Sequence, residues 1–343
     1  MQDLTGKKIF VGLSGGVDSA VTAALLKKRG ADVTAVFIKG WYPDGLPCTW
    51  AQDRRDAMRV AAHLSLPFHT LDASKEYKKS VIDYLIREYG AGRTPNPDIM
   101  CNRDVKFGAF YEFAKTHGAD YIATGHYARQ EGGKLLRGID SDKDQSYFLW
   151  AIAKEALEMT LFPLGGLHKT EVRDLADVLG LPNAKKRDSQ GICFLGPVSM
   201  EDFLRAELDT TPGSAVDEQG NVTGEHSGVL LHTLGERVAL VNALPGPWYV
   251  LSKDIPSNTL VVGKERSTEL APSAFTLTDT NFFTEASDTL TAQYRYHGPS
   301  VEGIYDAGKT TFSPSEMLLE PLAPGQSLVL YKGEEVVGGG IIG

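Results

Sequence analysis

Cysteine is scarce in this chain: three in 343 residues, at Cys48, Cys101 and Cys193. So few, and an odd number, exclude a disulfide-built secreted scaffold and leave at least one thiol free. No CxxC and no close Cys/His pair occurs, which disfavours zinc. Long apolar runs are missing too; none approaches the roughly 18–20 residues of a membrane span. The first residues, MQDLTGKKIFVGLSGG, have only a short apolar stretch broken by glycines, so a signal peptide is not expected. Repeats and low-complexity tracts are absent, and 42% hydrophobic with 23% charged residues is ordinary globular usage. An excess of basic charge is lacking: 35 Lys+Arg against 44 Asp+Glu leave a net −9, which argues against indiscriminate nucleic-acid binding. A cytoplasmic, reduced protein of two or three domains is expected.

The charge is uneven. Residues 1–200 hold 27 basic and 24 acidic side chains, residues 201–343 hold 8 and 20. A polyanion would meet the first part; on charge alone the plainer reading is that acidity keeps the second part soluble. The same division separates two textures. Strand-like runs at Lys8–Leu13, Asp32–Ile38, Pro67–Leu71 and Asp120–Thr124 alternate with helical patterns at Ala20–Arg29, Trp50–Leu64, Ser74–Tyr89 and Arg103–Thr116. In Trp50–Leu64 the inward face is expected at Met58, Ala61, Ala62 and Leu64. Such βαβ alternation makes an α/β domain, a parallel sheet covered on both faces, with ligands at the C-terminal strand ends. Helical patterns continue at Lys169–Leu179 and Ser199–Leu208. Beyond about residue 210 short β-rich runs follow, Gly228–His232, Arg237–Val241, Tyr249–Leu251 and Thr259–Val262, then Leu328–Tyr331 and Glu335–Gly338. These suggest small antiparallel barrels. The expected domains are 1–208, 209–270 and 271–343.

Between the first strand and helix stands Ser14-Gly15-Gly16-Val17-Asp18-Ser19. Two glycines let backbone approach a ligand, and the helix start favours an anion. It is neither GxxxxGK[ST] nor GxGxxG. Asp18 beside phosphates implies a cation, so Mg²⁺ is expected. An ordinary βα turn capped by Ser or Asp is the plain alternative.

Cys101 follows Gly92-Arg93-Thr94-Pro95-Asn96-Pro97-Asp98-Ile99-Met100. Two prolines predict a stiff loop, placing Cys101 at or just before a helix start, where a thiolate is favoured. Asp98 is three residues away, suited to proton transfer. Cys193 follows Lys185-Lys186-Arg187-Asp188-Ser189-Gln190-Gly191-Ile192, another anion-favouring setting, although the basic triplet would also suit a solvated face. Cys48 has no comparable setting and reads as core.

SGG-x-DS resembles the PP-loop of the N-type ATP pyrophosphatases, which cleave ATP between the α and β phosphates. SGGVDSAV, GRTPNPDxxCN, KFGAF, ADYIATGHYAR, LLRGID, KDQSYFLW, DSQGICF, HTLGER, PWYV, PGQS and GGGII stand in one order across essentially the whole chain. On them the chain resembles the bacterial tRNA-specific 2-thiouridylase family. HTLGERVAL departs from the family's Gly-rich HTxGQRKGLGI, with Glu236 in place of Gln.

The resemblance implies a Rossmann-like PP-loop domain, a small central β domain and a C-terminal antiparallel β-barrel. It also implies ATP-dependent 2-thiolation of wobble uridine 34 in tRNA. Gly12, Leu13, Ser14, Gly15, Gly16, Val17, Asp18 and Ser19 would hold the phosphates, and Ile38 and Gly125 the adenine and ribose. Cys193 would carry a persulfide delivered by a sulfur-relay protein or cysteine desulfurase. Cys101 would attack it, leaving a transient disulfide, with Asp98 as acid/base. Asn96, Pro97 and Asp98 would meet the target base; His126, Lys143, Asp144, Gln145, Tyr294, Arg295 and Gln326 would touch tRNA. Taken alone, His126 reads as a core histidine, Lys143-Asp144 as a solvated turn and Tyr294-Arg295 as strand residues. Competing readings are a PP-loop ligase for a small molecule, a non-catalytic RNA-binding module, and an iron–sulfur cluster on Asp98, Cys101 and Cys193.

Overall fold

The computed structural model of the chain describes residues 3–43, 50–187, 199–208, 210–265, 273–286, 289–318 and 322–343. Cys48 and Cys193 lie outside the described residues, so the readings placed on them are not located here.

Five parallel strands form the first sheet: β1 (Lys8–Gly12), β2 (Asp32–Lys39), β3 (Phe68–Asp72), β4 (Tyr121–Ala123) and β7 (Thr160–Leu161), in the order β3-β2-β1-β4-β7. Alternation along β1 explains the layering. Ile9 and Val11 face one core with Val33 and Ala35, while Phe10 faces a second with Val36 and Ile38. Helices cover both faces, so the inner strands are apolar where they are buried, at Ile9–Val11 and Ala35–Ile38, while the edge strand β3 leaves His69 and Thr70 exposed. On the first face lie α1 (Val17–Lys28) and α2 (Trp50–His63). On the second lie α3 (residues 74–90) and α4 (residues 97–116). Strand order reverses between β1 and β4, which opens a crevice at their C-terminal ends.

Three local expectations change. The buried face of α2 is Ala57, Val60 and Ala61, with Met58 and Ala62 exposed, because the helix presents its preceding turn to the sheet. α3 is π-helical over Lys78–Ile82 between α-helical ends. Gly228–His232 is no strand: Val229–Leu231 form a 3₁₀ turn, opened by Gly228 at φ 141°.

A hairpin, β5 (Ala128–Glu131) and β6 (Lys134–Arg137), follows β4; α5 (Lys154–Glu158), α6 (Lys169–Val178) and α7 (Met200–Glu207) come after it. The central sheet contains β8 (Gly213–Val216), β9 (Val222–His226), β10 (Arg237–Val238), β11 (Trp248–Asp254) and β12 (Thr259–Gly263), in the order β10-β11-β12-β8-β9. Its β12–β8 pair is parallel, so this sheet is not the purely antiparallel one expected.

The last sheet contains β13 (Phe275–Phe282), β14 (Thr289–Gln293), β15 (Ser300–Asp306), β16 (Thr311–Pro314), β17 (Ser327–Lys332) and β18 (Glu335–Ile342). Pairing of β13 with both β16 and β18 closes these six antiparallel strands into a barrel. β6 of the first domain pairs with β18, Leu135 opposite Val336, so the β5–β6 hairpin extends the barrel sheet. Tyr147 Oη donates to the Ser327 carbonyl at 2.9 Å, and Asn281 Nδ2 to the Trp150 carbonyl at 2.7 Å, adding to that junction.

Candidate active site

The phosphate loop leaves β1 at Gly12, on the crevice side. Gly15 adopts φ +81°, and a Cβ there would stand 2.5 Å from the Asp53 carbonyl of α2. Ser19 Oγ accepts from the Ser14 amide at 3.2 Å and donates to the Gly16 carbonyl at 3.1 Å, closing the loop on itself. Gly16 caps α1 without a side-chain hydrogen bond, leaving first-turn amides for an anion. Gly125, after β4, packs against that turn; a Cβ would lie 2.9 Å from the Ser19 nitrogen. Ile38 and Gly12 are neighbours, since a Cβ on Gly12 would lie 3.9 Å from Ile38 Cδ1. The structure therefore gathers the loop, Ile38 and Gly125 at one strand end, where the glycines let α2, β4 and the start of α1 close upon one another.

Asp18 is held rather than free. Lys169, the first residue of α6, reaches its two carboxylate oxygens at 2.7 and 2.8 Å, and Tyr127 Oη donates to it at 2.9 Å. Neither partner was foreseen. Lys169 stands 151 residues from Asp18 in the chain, and its only sequence signal is its place at a predicted helix start. Behind the loop, Asn183 Nδ2 donates to the Gly15 carbonyl at 3.0 Å. Lys186 pairs with Asp53 and Asp56 of α2, both at 2.9 Å, so the triplet Lys185–Arg187 is not simply a solvated face. Burial works against the Asp56 charge, but bonding to Lys186 outweighs it and holds the carboxyl below its ordinary range.

The proline pair does not make a loop up to Cys101. Asn96 is an N-cap, its Oδ1 accepting from the Asp98 amide at 3.1 Å, and Pro97 occupies the first helical position, where its missing N–H costs nothing. α4 is α-helical over Pro97–Met100, π-helical over Cys101–Ala109 and α-helical again over Phe110–Thr116. Cys101 therefore sits past the first turn, beyond the strongest reach of the helix dipole. It is wholly buried, while Asp98 three residues earlier is partly exposed. π-Segments concentrate at functional sites, and this one begins at the cysteine. The helix is seated against the nucleotide crevice: Phe110 borders Gly12, and the Phe107 ring lies 5.6 Å from that of His126.

The stretch before the helix is gripped by both β domains. Thr94 donates its amide to Pro324 and accepts at its carbonyl from Gln326 Nε2 at 2.6 Å. From the central sheet, Thr233 accepts from Thr94 Oγ1 at 3.2 Å. Glu236 bonds His232 at 2.6 Å, and Lys253 Nζ donates to the His232 carbonyl at 2.8 Å.

The residues expected at RNA divide into two groups. Lys143, Gln145, Arg295, Asn96 and Gln326 keep partial exposure. His126 is buried, bonded to Thr124 Oγ1 at 2.7 Å; burial, then the positive charge of Lys106, press its pKa well below the usual histidine range. Asp144 is no solvated turn. It is buried and accepts from the Gly138 amide, Ser146 and Arg137, so it shapes the loop carrying Lys143 and Gln145. Tyr294 is 2% exposed in the barrel core, whereas Tyr296 is 36% exposed and its ring centroid lies 4.4 Å from that of Phe148. Phe148 in turn accepts from Asn102, the neighbour of Cys101. The chain leaves β14 at Gln293 and turns, so Tyr294 stays in the barrel core while Tyr296, two residues on, reaches the surface. Among the described residues no group of three or more His, Cys, Asp or Glu forms a metal site, and no helix is long and apolar enough to cross a membrane.

Three family models match the chain in succession: a tRNA methyl transferase HUP domain over residues 7–197, a tRNA methyl transferase PRC-barrel domain over 201–264, and an aminomethyltransferase beta-barrel domain over 273–342. A tRNA-specific 2-thiouridylase MnmA of Streptococcus agalactiae serotype III (strain NEM316) is 42% identical over 360 residues, covering 100% of this chain and 96% of that protein. One of Shewanella piezotolerans is 42% identical over 356 residues, covering 98% and 96%. Among solved structures, a 4-thiouridine synthetase–RNA complex with bound ATP matches 56% of this chain and 46% of its own, at 25% identity and TM-score 0.39. The phosphate loop at the strand switch, the helix bearing Asp98 and Cys101, and identity along the full length lead to one assignment: the chain belongs to the tRNA-specific 2-thiouridylase family of the PP-loop superfamily.

Proposed function

We propose that this chain is an ATP-dependent tRNA uridine 2-sulfurtransferase acting on wobble uridine 34. The observation that carries this reading is the shared frame: one helix bears Asp98 in its first turn and Cys101 just past it, and packs through Phe110 against the strand end that launches the phosphate loop. A small-molecule ligase would have no use for that thiol.

A C2 carbonyl flanked by two nitrogens is a poor electrophile, and oxide is a poor leaving group. O2 attacks the α-phosphorus of ATP and pyrophosphate departs. Loop amides and the start of α1 stabilise the polyphosphate. Asp18 is the carboxylate on offer to Mg²⁺, which commonly takes one or two carboxylates besides phosphate oxygens. Bound phosphates would give Lys169 a second anion beside Asp18. Cys193 carries the persulfide, delivered by an upstream relay protein or cysteine desulfurase in the reducing cytoplasm. The Cys101 thiolate attacks Sγ of Cys193; hydrosulfide leaves, adds to C2, and AMP departs. The Cys101–Cys193 disulfide then needs an external thiol to return both cysteines to the reduced state. Asp98 handles protons at the base. Because Cys101 is enclosed, base entry has to open the surroundings of α4. Tyr296 on Phe148 offers an aromatic surface for an unstacked nucleotide, a common mode of RNA recognition.

The test is a reaction of U34 tRNA, Mg-ATP and a persulfide source, following pyrophosphate and 2-thiouridine. Wild type should form both products, while Cys101→Ala and Cys193→Ala lose 2-thiouridine and keep pyrophosphate release. Thiolation indifferent to both cysteines would refute the persulfide route.

A further inference from the structure

The loop at residues 138–145 joins β6 to the 3₁₀ turn Ser146–Leu149 and is closed on itself. Asp144 is buried and accepts from the amides of Gly138 and Ser146, the Ser146 hydroxyl and Arg137. Asp140 accepts from the Asp142 amide at 3.2 Å on its carboxylate and from the Lys143 amide at 3.0 Å on its carbonyl. A buried polar network satisfied in this way is stiff, so the loop moves as one piece.

Two attachments fix that piece to the nucleotide site. The first is Tyr127. Its amide donates to Gln145 Oε1 at 3.1 Å, and the Gln145 amide donates to the Tyr127 carbonyl at 2.8 Å. The Tyr127 hydroxyl donates to Asp18 Oδ1 at 2.9 Å. The second is Lys169, whose amide donates to Asp140 Oδ2 at 2.8 Å while its ammonium holds both Asp18 oxygens. Both routes run from the loop to one carboxylate in the first turn of α1. At its far end the loop leads into Phe148. The Phe148 amide donates to the Gln145 carbonyl at 3.0 Å, and its ring centroid lies 4.4 Å from that of Tyr296. Its carbonyl accepts from Asn102, the neighbour of Cys101, at 3.0 Å.

A nucleotide acts on the Asp18 end. Polyphosphate on the amides that start α1 repels the Asp18 carboxylate and attracts the ammonium that holds it. Asp18, Lys169 and Tyr127 then rearrange together, and the loop follows through Gln145 and Asp140. Base entry has to open the surroundings of Cys101, and the nucleotide-free arrangement fastens them through Phe148 and Asn102. Loosening the Asp18 end favours the open form.

We propose that Tyr127 and Gln145 are positioning residues that couple the phosphate loop to the Phe148–Tyr296 surface, so that RNA binds more tightly once nucleotide is bound. This rests on the function proposed above. A ligand shifts such an equilibrium only through different affinities for two states, here the 138–149 segment tied to Asp18 and the same segment released.

The full chain is titrated with an anticodon stem-loop RNA carrying U34, with and without a non-hydrolysable ATP analogue and Mg²⁺. For wild type, saturating analogue should lower the stem-loop Kd about fivefold or more, and the stem-loop should lower the analogue's Kd by the same factor. Tyr127→Phe removes the hydroxyl and keeps the ring. It should tighten stem-loop binding without nucleotide and bring the coupling factor below about twofold. A merely structural hydroxyl would instead weaken both ligands and leave the factor unchanged. Asp140→Ala cuts the second attachment and should lower the factor likewise if Tyr127→Phe folds poorly. A further readout needs no RNA. Hydrogen exchange of the peptide 138–149 should quicken when the analogue binds wild type and should not respond in Tyr127→Phe. A wild-type coupling factor of one, an unchanged factor in Tyr127→Phe, or exchange that ignores the analogue would overturn the coupling. A stem-loop that fails to bind wild type at all would count against the functional reading, and exchange would still decide whether the tie carries the signal.

Discussion

A single methyl group probes the nucleotide site. At Gly125 a Cβ would press on the backbone of Ser19 and Asp18, at 2.9 and 3.0 Å, neither of which can rotate away. Gly125→Ala should cost about 1–3 kcal/mol in loop geometry, raising the ATP KM roughly tenfold or more while far-ultraviolet circular dichroism stays unchanged. An ATP titration of pyrophosphate release checks it. This glycine, the SGGVDS loop and the Asp98–Cys101 spacing each belong to a short contiguous motif, which is why the sequence alone could single them out. Lys169, Tyr127 and Asn183 were not legible, because their partners lie 151, 109 and 168 residues away and no local pattern marks them. Tyr294 and Tyr296 show the same limit: both stand in the turn after β14, and only packing says which is core.

At the scale of elements, the start of α4 rests on its cap. Asn96→Ala removes the acceptor for the Asp98 amide and should destabilise the protein by about 1 kcal/mol, whereas Asn96→Asp keeps it. Urea unfolding of the three proteins distinguishes them. The two prolines predict a stiff loop, although Asn before Pro also suits an N-cap and first helical position. Helix continuity through Cys101 depended on the packing of Ile99, Met100 and Val105 in the core.

In the central sheet, burial lowers the Lys253 ammonium from its ordinary 10.5 to about 8. Between those values the folded chain binds fewer protons than the unfolded one. This lysine therefore makes stability rise with pH from about 8 to 10.5, and below that window it contributes a constant penalty. Denaturant midpoints measured across this range should climb more steeply for wild type than for Lys253→Met. Parallel slopes would show that the buried ammonium is not felt.

Across the whole molecule, two β domains hold the approach to the helix that bears Asp98 and Cys101. The barrel grips Thr94 through Pro324 and Gln326, and the central sheet grips it through Thr233. Losing one such hydrogen bond is worth about 1 kcal/mol, so Gln326→Ala should speed amide exchange at Thr94 by roughly fivefold. Exchange by mass spectrometry on the peptide 92–99 reads this directly. Unchanged exchange would mean that the barrel does not order the loop.

The sequence by itself determined what neighbouring residues decide between them. It dictated alternating strands and helices in the first part, glycines where backbone must turn, and short β segments thereafter. Steric limits on the backbone and hydrogen bonds a few residues long act within such windows. Tertiary structure alone decided the rest: the β5–β6 hairpin joining the barrel sheet, Lys169 on Asp18, Lys186 between two aspartates, and the enclosure of Cys101. Those contacts require distant segments to be closed upon one another, and the energy that selects them comes from burial and charge pairing that exist only once the core has formed.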